Sequence, residues 1–337
     1  MKKVLYFVLT IFVVIGLSGC GKENKKTVLN KLDKKVKNVS GYKLDAKMEL
    51  INNDDCYKYD VTVSYKKENN YRVSLRNTTN NHEQIILKNN DGVYVLTPAL
   101  NKSFKFQSKW PYNNSQAYLL QSVVNDMKKD GKLSMKKVSR GYLFKSTVNY
   151  KNNKNLTYQE VLVDSNMNIK KVTVYDNENH AQIKVSYSSI DMRAKFKNNY
   201  FSIEENMKAI SELDTTTKTE KEMNTLDEAL YPMYVPTDTY LETEKTVELD
   251  EGSRIILTFA GESPFMLVEE VSAKKDEMEI IPTSGDLDII GGTIAIIGDS
   301  SVSWTNDNVD YYLVSSELST SELINVAKSI SSMPVSK

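Results

Sequence analysis

The side chains able to do chemistry are few, and their spacing argues against catalysis. The chain has only two histidines, His82 and His180, and two cysteines, Cys20 and Cys56. A zinc site needs three or four N, S or O ligands at regular spacing, and two lone histidines with a distant thiol do not make one. His82 falls in a polar turn and His180 at the start of a strand-like stretch. Ser-x-x-Lys, a spacing that can set a lysine beside a nucleophilic serine, occurs at Ser64–Lys67, Ser134–Lys137 and Ser272–Lys275. Two of the three lie in or beside alternating, strand-like sequence instead of opening a helix, and chance explains them in a chain rich in Ser and Lys. Gly291-Gly292 lacks the Lys-Ser/Thr of a phosphate loop and sits in apolar surroundings. The many carboxylates of the C-terminal half read as a solvated face. The sequence therefore predicts no catalytic residues, no metal site and no cofactor.

Cys20 is the exception. Lys2 and Lys3 precede an uncharged apolar run from Val4 to Leu17, which closes on Leu17-Ser18-Gly19-Cys20. Positive, apolar, then small is the order of a secretory signal. The run is shorter than the roughly 20 apolar residues of a permanent span, and polar Gly21-Lys22-Glu23-Asn24 follows at once. Leu-Ser-Gly-Cys resembles the bacterial lipobox, whose cysteine thiol takes a diacylglycerol and becomes the mature N-terminus. Residues 1–20 are thus expected to be a lipoprotein signal peptide and Cys20 the lipid attachment site. Fatty acyl chains of the palmitate kind bury about 0.8 kcal/mol per CH₂ and hold a protein on a membrane without a spanning helix. Cys56, in a polar Asp-Asp-Cys-Tyr turn, is then the only free thiol, so no intramolecular disulfide can form.

Net charge is zero, but the average hides a split. Residues 1–200 carry 35 Lys and Arg against 17 Asp and Glu, whereas residues 201–337 carry 9 against 27. Such asymmetry predicts two folding units of opposite sign. The basic half adjoins the anchor, where anionic headgroups would attract it by at most about 1 kcal/mol per residue close to the surface. Its lysines alternate along strands instead of clustering with stacking aromatics, so nucleic acid is excluded as a partner.

The elements come in a definite order. Val28, Leu32, Val36 and Val39 recur at helical spacing over Thr27–Val39, with lysines opposite. From Tyr42 to Phe106 the period is two, with a hairpin signal at Lys88-Asn89-Asn90-Asp91-Gly92. A helix with Leu119, Leu120, Val123, Val124 and Met127 on one face follows, with Ser115 as its expected cap. Strands resume over Leu133–Val138, Gly141–Tyr150, Thr157–Asp164, Ile169–Tyr175 and Ala181–Ser189. Single-face alternation predicts an antiparallel sheet with one buried side, covered by the two helices. Residues 204–225 are polar and aperiodic, a linker or frayed helix. The unit 226–337 should open with a short helix, continue through a hairpin at Asp286–Ile290, Gly291-Gly292 and Thr293–Ile297, and end in a helix capped by Ser319-Thr320-Ser321-Glu322.

This order of elements resembles the LolA/LolB-like lipoprotein-carrier fold over roughly residues 25–203, most clearly at Asn90–Pro98, Glu160–Asp164, Lys171–Asp176 and Phe201. Within that fold, Phe106-Gln107-Ser108-Lys109-Trp110-Pro111 is similar to the sporulation lipoproteins of the YdcC and GerS type. The C-terminal unit, through Trp304, Asn308, Val309, Tyr311, Leu313 and Leu318–Ile330, resembles a Firmicute module of unknown function appended to such lipoproteins. The resemblance implies an α+β chain: a curved antiparallel half-barrel covered by helices over residues 21–203, then a small α+β domain. It implies a non-catalytic lipoprotein on the outer face of the cell or forespore membrane, docking a peptidoglycan amidase or other envelope partner in sporulation or germination. It also implies an alternative, an apolar lipid or acyl ligand held in the concave face, which the 20 tyrosines could line.

Overall fold

The computed structural model describes residues 24–52, 55–107, 109–112, 114–211, 226, 228–249, 252–272, 274 and 277–330. The leader, Cys20 and the stretch 212–225 lie outside them. Helix α1 (Lys25–Lys37) starts where Asn24 Oδ1 accepts the backbone N–H of Thr27 at 2.8 Å, and it buries Val28, Leu32 and Val36. The strands β1 (Gly41–Asn52), β2 (Asp55–Lys66), β3 (Asn70–Asn77), β4 (Glu83–Asn89), β5 (Gly92–Thr97) and β6 (Lys102–Phe106) then form a meander. Helix α2 (Leu120–Lys129) interrupts it, and β7 (Ser134–Val138), β8 (Gly141–Thr147), β9 (Leu156–Asp164), β10 (Ile169–Asp176) and β11 (Ala181–Asp191) return to pair β11 with β1.

The result is an open antiparallel sheet, curved around one apolar face as the alternation requires. Tyr42, Leu44, Ala46 and Met48 of β1 point into that face, and α1 and α2 lie over it. The expected Ser115 cap is not made. The residue preceding α2 is Leu119, without a side-chain cap, and Ser115 Oγ instead accepts the N–H of Asn149 at 2.8 Å. The hydroxyl also bonds the Asp126 carboxyl, so it meets α2 at its side instead of capping its N-terminus. Cys56 also departs from the expected turn: it is an exposed residue of β2, opposite Ile51 of β1.

One buried side is too simple a description. Helix α3 (Ile203–Ser211) covers the convex face of β4 and β5, where Ile85, Leu87, Tyr94 and Leu96 meet Phe201, Ile203 and Met207. Those two strands are therefore buried on both sides, and their sequences are correspondingly near-continuous apolar runs.

The C-terminal half forms a second, wholly antiparallel sheet. In chain order its strands are β12 (Thr239–Leu249), β13 (Gly252–Gly261), β14 (Phe265–Val271), β16 (Asp286–Ile290), β17 (Thr293–Ile297), β18 (Ser301–Asn306) and β19 (Val309–Val314). Across the sheet they run β12-β13-β14-β19-β18-β17-β16. Helix α4 (Thr320–Ile330) packs on it through Leu323, Val326, Ala327 and Ile330. Its capping box is made: Glu322 accepts from Ser319 N–H at 2.9 Å, and Ser319 Oγ accepts from Glu322 N–H at 3.3 Å. The short helix expected at the opening is replaced by an irregular segment whose Leu226, Ala229, Leu230 and Val235 pack on the second core. Pro232 and Pro236 limit helical hydrogen bonding there.

One strand crosses between the halves. The segment β15 (Glu279–Thr283) leaves the second sheet and pairs, parallel, with β6, making the first sheet 12-stranded.

Candidate functional site

A carrier of the curved-sheet type would hold its ligand in the concave hollow, so the side chains that line it decide what can enter. Tyr42, Tyr65 and Tyr71 stand opposite one another on β1, β2 and β3, and their rings touch at centroid distances of 5.3 and 4.9 Å. Trp110, 1% exposed, meets Tyr71 edge-on at 5.7 Å. Phe144, Val161, Val172 and Val185 complete the filling from the other end of the sheet. The tyrosines of this region are core. Burial holds the hydroxyls of Tyr42, Tyr59, Tyr71 and Tyr187 far above the ordinary tyrosine range.

What remains open is a cleft of about 530 Å³ at the mouth of the hollow. Met48, Leu50, Ile86 and Ile183 form one wall, and the β16–β17 hairpin of the second half forms the other. The hairpin has two apolar faces. Leu287 and Ile294, with Ile289 and Ile296, join the first core, while Ile290, Ala295 and Ile297 join the second. Its tip is a two-residue turn in which Gly291 (φ 53°) and Gly292 (φ 88°) both take the left-handed region, as such a tight hairpin requires. A Cβ at Gly292 would stand 3.0 Å from the Tyr57 ring and 3.1 Å from Asn77 Nδ2, so the bare tip seats against the first sheet without displacing either side chain. Gln84, buried on β4, receives the hairpin: its Oε1 accepts from Ile294 N–H at 2.6 Å and Thr293 Oγ1 at 2.9 Å. The hairpin is a stopper supplied by the chain itself.

The cleft's polar wall holds Tyr118, Tyr150, Asn152, Asp288 and Lys328. Burial raises the Asp288 carboxyl above its ordinary range, partly offset by Lys328. Behind this wall, burial lifts Asp126 to about 6. These groups lack the mutual arrangement of a nucleophile and its base.

Other contacts fix the two halves together. Lys102, buried on β6, donates to Ser272 Oγ at 2.6 Å and pairs with Asp310 at 2.5 Å. Lys151 reaches Asp286 at 3.8 Å, and Asn80 Nδ2 donates to Asp307 Oδ1 at 3.2 Å. Opposite net charge is thus a minor part of the interface, which rests on strand pairing, the hairpin and apolar packing.

The chemistry-bearing residues remain apart. Cys20 is outside the described residues. His180 is exposed, with Asp176 and Glu178 each 3.6 Å from Nδ1. Ser64 is buried and shares a hydrogen bond with Tyr200 OH at 2.9 Å, and Ser272 accepts from Lys102. Among the described residues no group of three or more His, Cys, Asp or Glu could hold a metal, and no helix is long and apolar enough to cross a membrane. Sequence reasoning missed Gln84, Lys102 and Asp288. Each lies in a strand whose pattern looks ordinary until the second half is docked on the first.

An open antiparallel sheet with helices over its apolar face, followed by a smaller sheet-and-helix unit, makes this an α+β fold. The family model described as "Sporulation protein YdcC-like" matches residues 1–201. The sporulation protein YdcC of Bacillus subtilis (strain 168) is 36% identical over 332 residues, covering 98% of this chain and 97% of that protein. The chain belongs to the YdcC-like sporulation protein family. Among solved structures, a LolA superfamily protein from Nitrosomonas europaea is 11% identical, covers 54% of this chain and 99% of that one, and has a TM-score of 0.31. The complex of the Clostridioides difficile CwlD amidase with the GerS lipoprotein gives 16% identity, 52% and 98% coverage and a TM-score of 0.23.

Proposed function

We propose that this protein is a membrane-anchored, exported lipoprotein that acts in sporulation or germination by docking an envelope partner, without catalysis of its own. One observation supports docking over carriage: the hollow that would take an apolar ligand is filled by Tyr42, Tyr71, Trp110 and Phe144 and stoppered by the chain's own hairpin. Binding then falls to outer surfaces. A peptidoglycan amidase, the partner that resemblance to the GerS-type lipoproteins implies, is the first to test. Cys20 carries the acyl anchor in this reading, and the protein stands on the outer face of the cell or forespore membrane.

Two measurements test it. Metabolic labelling with a radioactive fatty acid should mark the wild-type chain and leave Cys20→Ser unlabelled; equal labelling would remove the anchor. A sporulation amidase of the same organism, mixed with the chain from Gly21 onward, should co-elute at fixed stoichiometry in size-exclusion chromatography with light scattering. Separate elution of every such amidase would sink that partner. The second reading, an acyl ligand, keeps one favourable feature, the apolar wall of Met48, Leu50, Ile86 and Ile183 in the cleft. It requires purified protein to carry lipid detectable by native mass spectrometry.

A further inference from the structure

The two sheets have four edges, and three are protected. Strand β7 presents Lys136 and Lys137, β15 is short and contains Pro282, and β16 is sandwiched between the two cores. Charge, proline and covering are the usual ways of preventing an edge from pairing with another chain. Strand β12 carries charges of its own, Glu242, Glu244, Lys245 and Glu248, but it has no proline and no strand on its outer side. It is 11 residues long, pairs with β13 on one side only, and is exposed along most of its length. Its single bulge, between Leu241 and Thr243, leaves Thr243–Leu249 in regular register.

Strand β12 and the segment before it carry exposed apolar and aromatic side chains. Met233 is 70% and Tyr240 61% exposed, with Tyr231, Tyr234 and Leu241 also at the surface. The segment bearing Tyr231 folds back on the strand, where Tyr231 OH donates to Glu244 at 2.6 Å. The surroundings are acidic. From Glu228 to Leu249 there are five carboxylates, Glu228, Asp238, Glu242, Glu244 and Glu248, and one cation, Lys245.

We infer that the β12 edge is a docking strand for an extended, basic segment of a partner protein whose alternate residues are apolar. The open N–H and C=O groups of β12 supply affinity by strand addition. The tyrosines and Met233 receive the apolar side chains, and the carboxylates select lysine or arginine over acidic sequences. This surface deepens the docking reading but is tested independently of it. An amidase that binds elsewhere leaves this edge free to take its peptide, and the peptide can bind if no amidase does.

The probe is a fluorescent peptide of about nine residues, an ordinary strand length, alternating lysine and valine. It is titrated by anisotropy onto the chain from Gly21 onward, which keeps every described element because α1 begins at its Asn24 cap. Saturable one-to-one binding is expected, with slowed amide exchange in residues 239–249. Two further peptides of the same charge carry N-methyl groups at odd or at even positions. One of the two should bind roughly tenfold or more weakly, because it lacks the donors that face the edge. Glu242→Lys with Glu248→Lys should weaken the parent peptide by at least roughly tenfold too, and a glutamate–valine peptide should not bind. Three results would overturn the inference: no binding, equal binding of both methylated peptides (charge alone), or a dimer that already protects β12 (a second copy as the occupant).

Discussion

The first sheet fills its hollow with its own aromatic side chains and two helices, whereas the second is covered on one face by α4 and the 226–235 segment and over part of the other by the first half of the molecule. Most of the first core comes from the first half, where Trp110, Tyr42, Tyr71 and Phe144 are almost wholly buried, and the second half adds Leu287 and Ile294 of the hairpin. The second core admits a carboxyl group, Glu269, which is 0% exposed, and it leaves β12 bare. One half looks built for stability and the other for contact. The β16–β17 hairpin belongs to both, which makes the division one of function more than of folding.

Four expected outcomes would break or sharpen that comparison. The largest concerns the first core. Phe144→Ala should cost about 3–5 kcal/mol in urea unfolding, the range for removing a buried phenylalanine. Trp110 and Trp304, one in each core, allow single-tryptophan variants to report the halves separately. If Phe144→Ala lowers both midpoints equally, the halves unfold as one unit and the contrast above fails.

The second concerns Glu269, whose carboxyl is held at about 7 against an ordinary 4.5, chiefly by burial, with Glu244 adding and the Leu230 N–H opposing. The fold favours the protonated form. Its contribution is complete below about pH 4.5 and is lost as pH rises to 7 and beyond, a change of roughly 3 kcal/mol. Glu269→Gln should flatten that slope in the Trp304 transition. An unchanged slope would place the pH sensitivity elsewhere.

A smaller effect is expected at the junction. Lys102→Met leaves Asp310, about one-third exposed, with Thr305 as a remaining donor. The cost should be about 2 kcal/mol, seen as a widening gap between the two tryptophan transitions. If the gap stays fixed, strand pairing and the hairpin alone hold the halves. Smallest is Ser319→Ala, which removes the cap of α4 and should cost about 1 kcal/mol in the second transition only.

Much of the architecture could be read before folding was considered. The change of period from helical to alternating marked α1, the meander and α2 within a few residues, because burial on one face leaves a local signature. The Ser319–Glu322 box and the Gly291-Gly292 hairpin were equally legible, since each is a short-range requirement of backbone hydrogen bonding or positive φ. Ser115 does not cap α2 because a cap and an acceptor for the distant Asn149 N–H require the same hydroxyl. Residues 226–235 misled because apolar spacing alone does not reveal that Leu230 N–H will be held by Glu269 across the second core.

By itself the sequence determined the alternation that makes the open antiparallel sheet, the capping box of α4 and the Gly291-Gly292 turn. All of these depend on residues close together in the chain. Tertiary structure alone decided that the hollow is filled and stoppered, that β15 completes the first sheet, that Gln84 and Lys102 bind the second half, and that β12 stays bare. Those outcomes depend on contacts between residues on the order of one or two hundred positions apart, and no local periodicity records such a meeting.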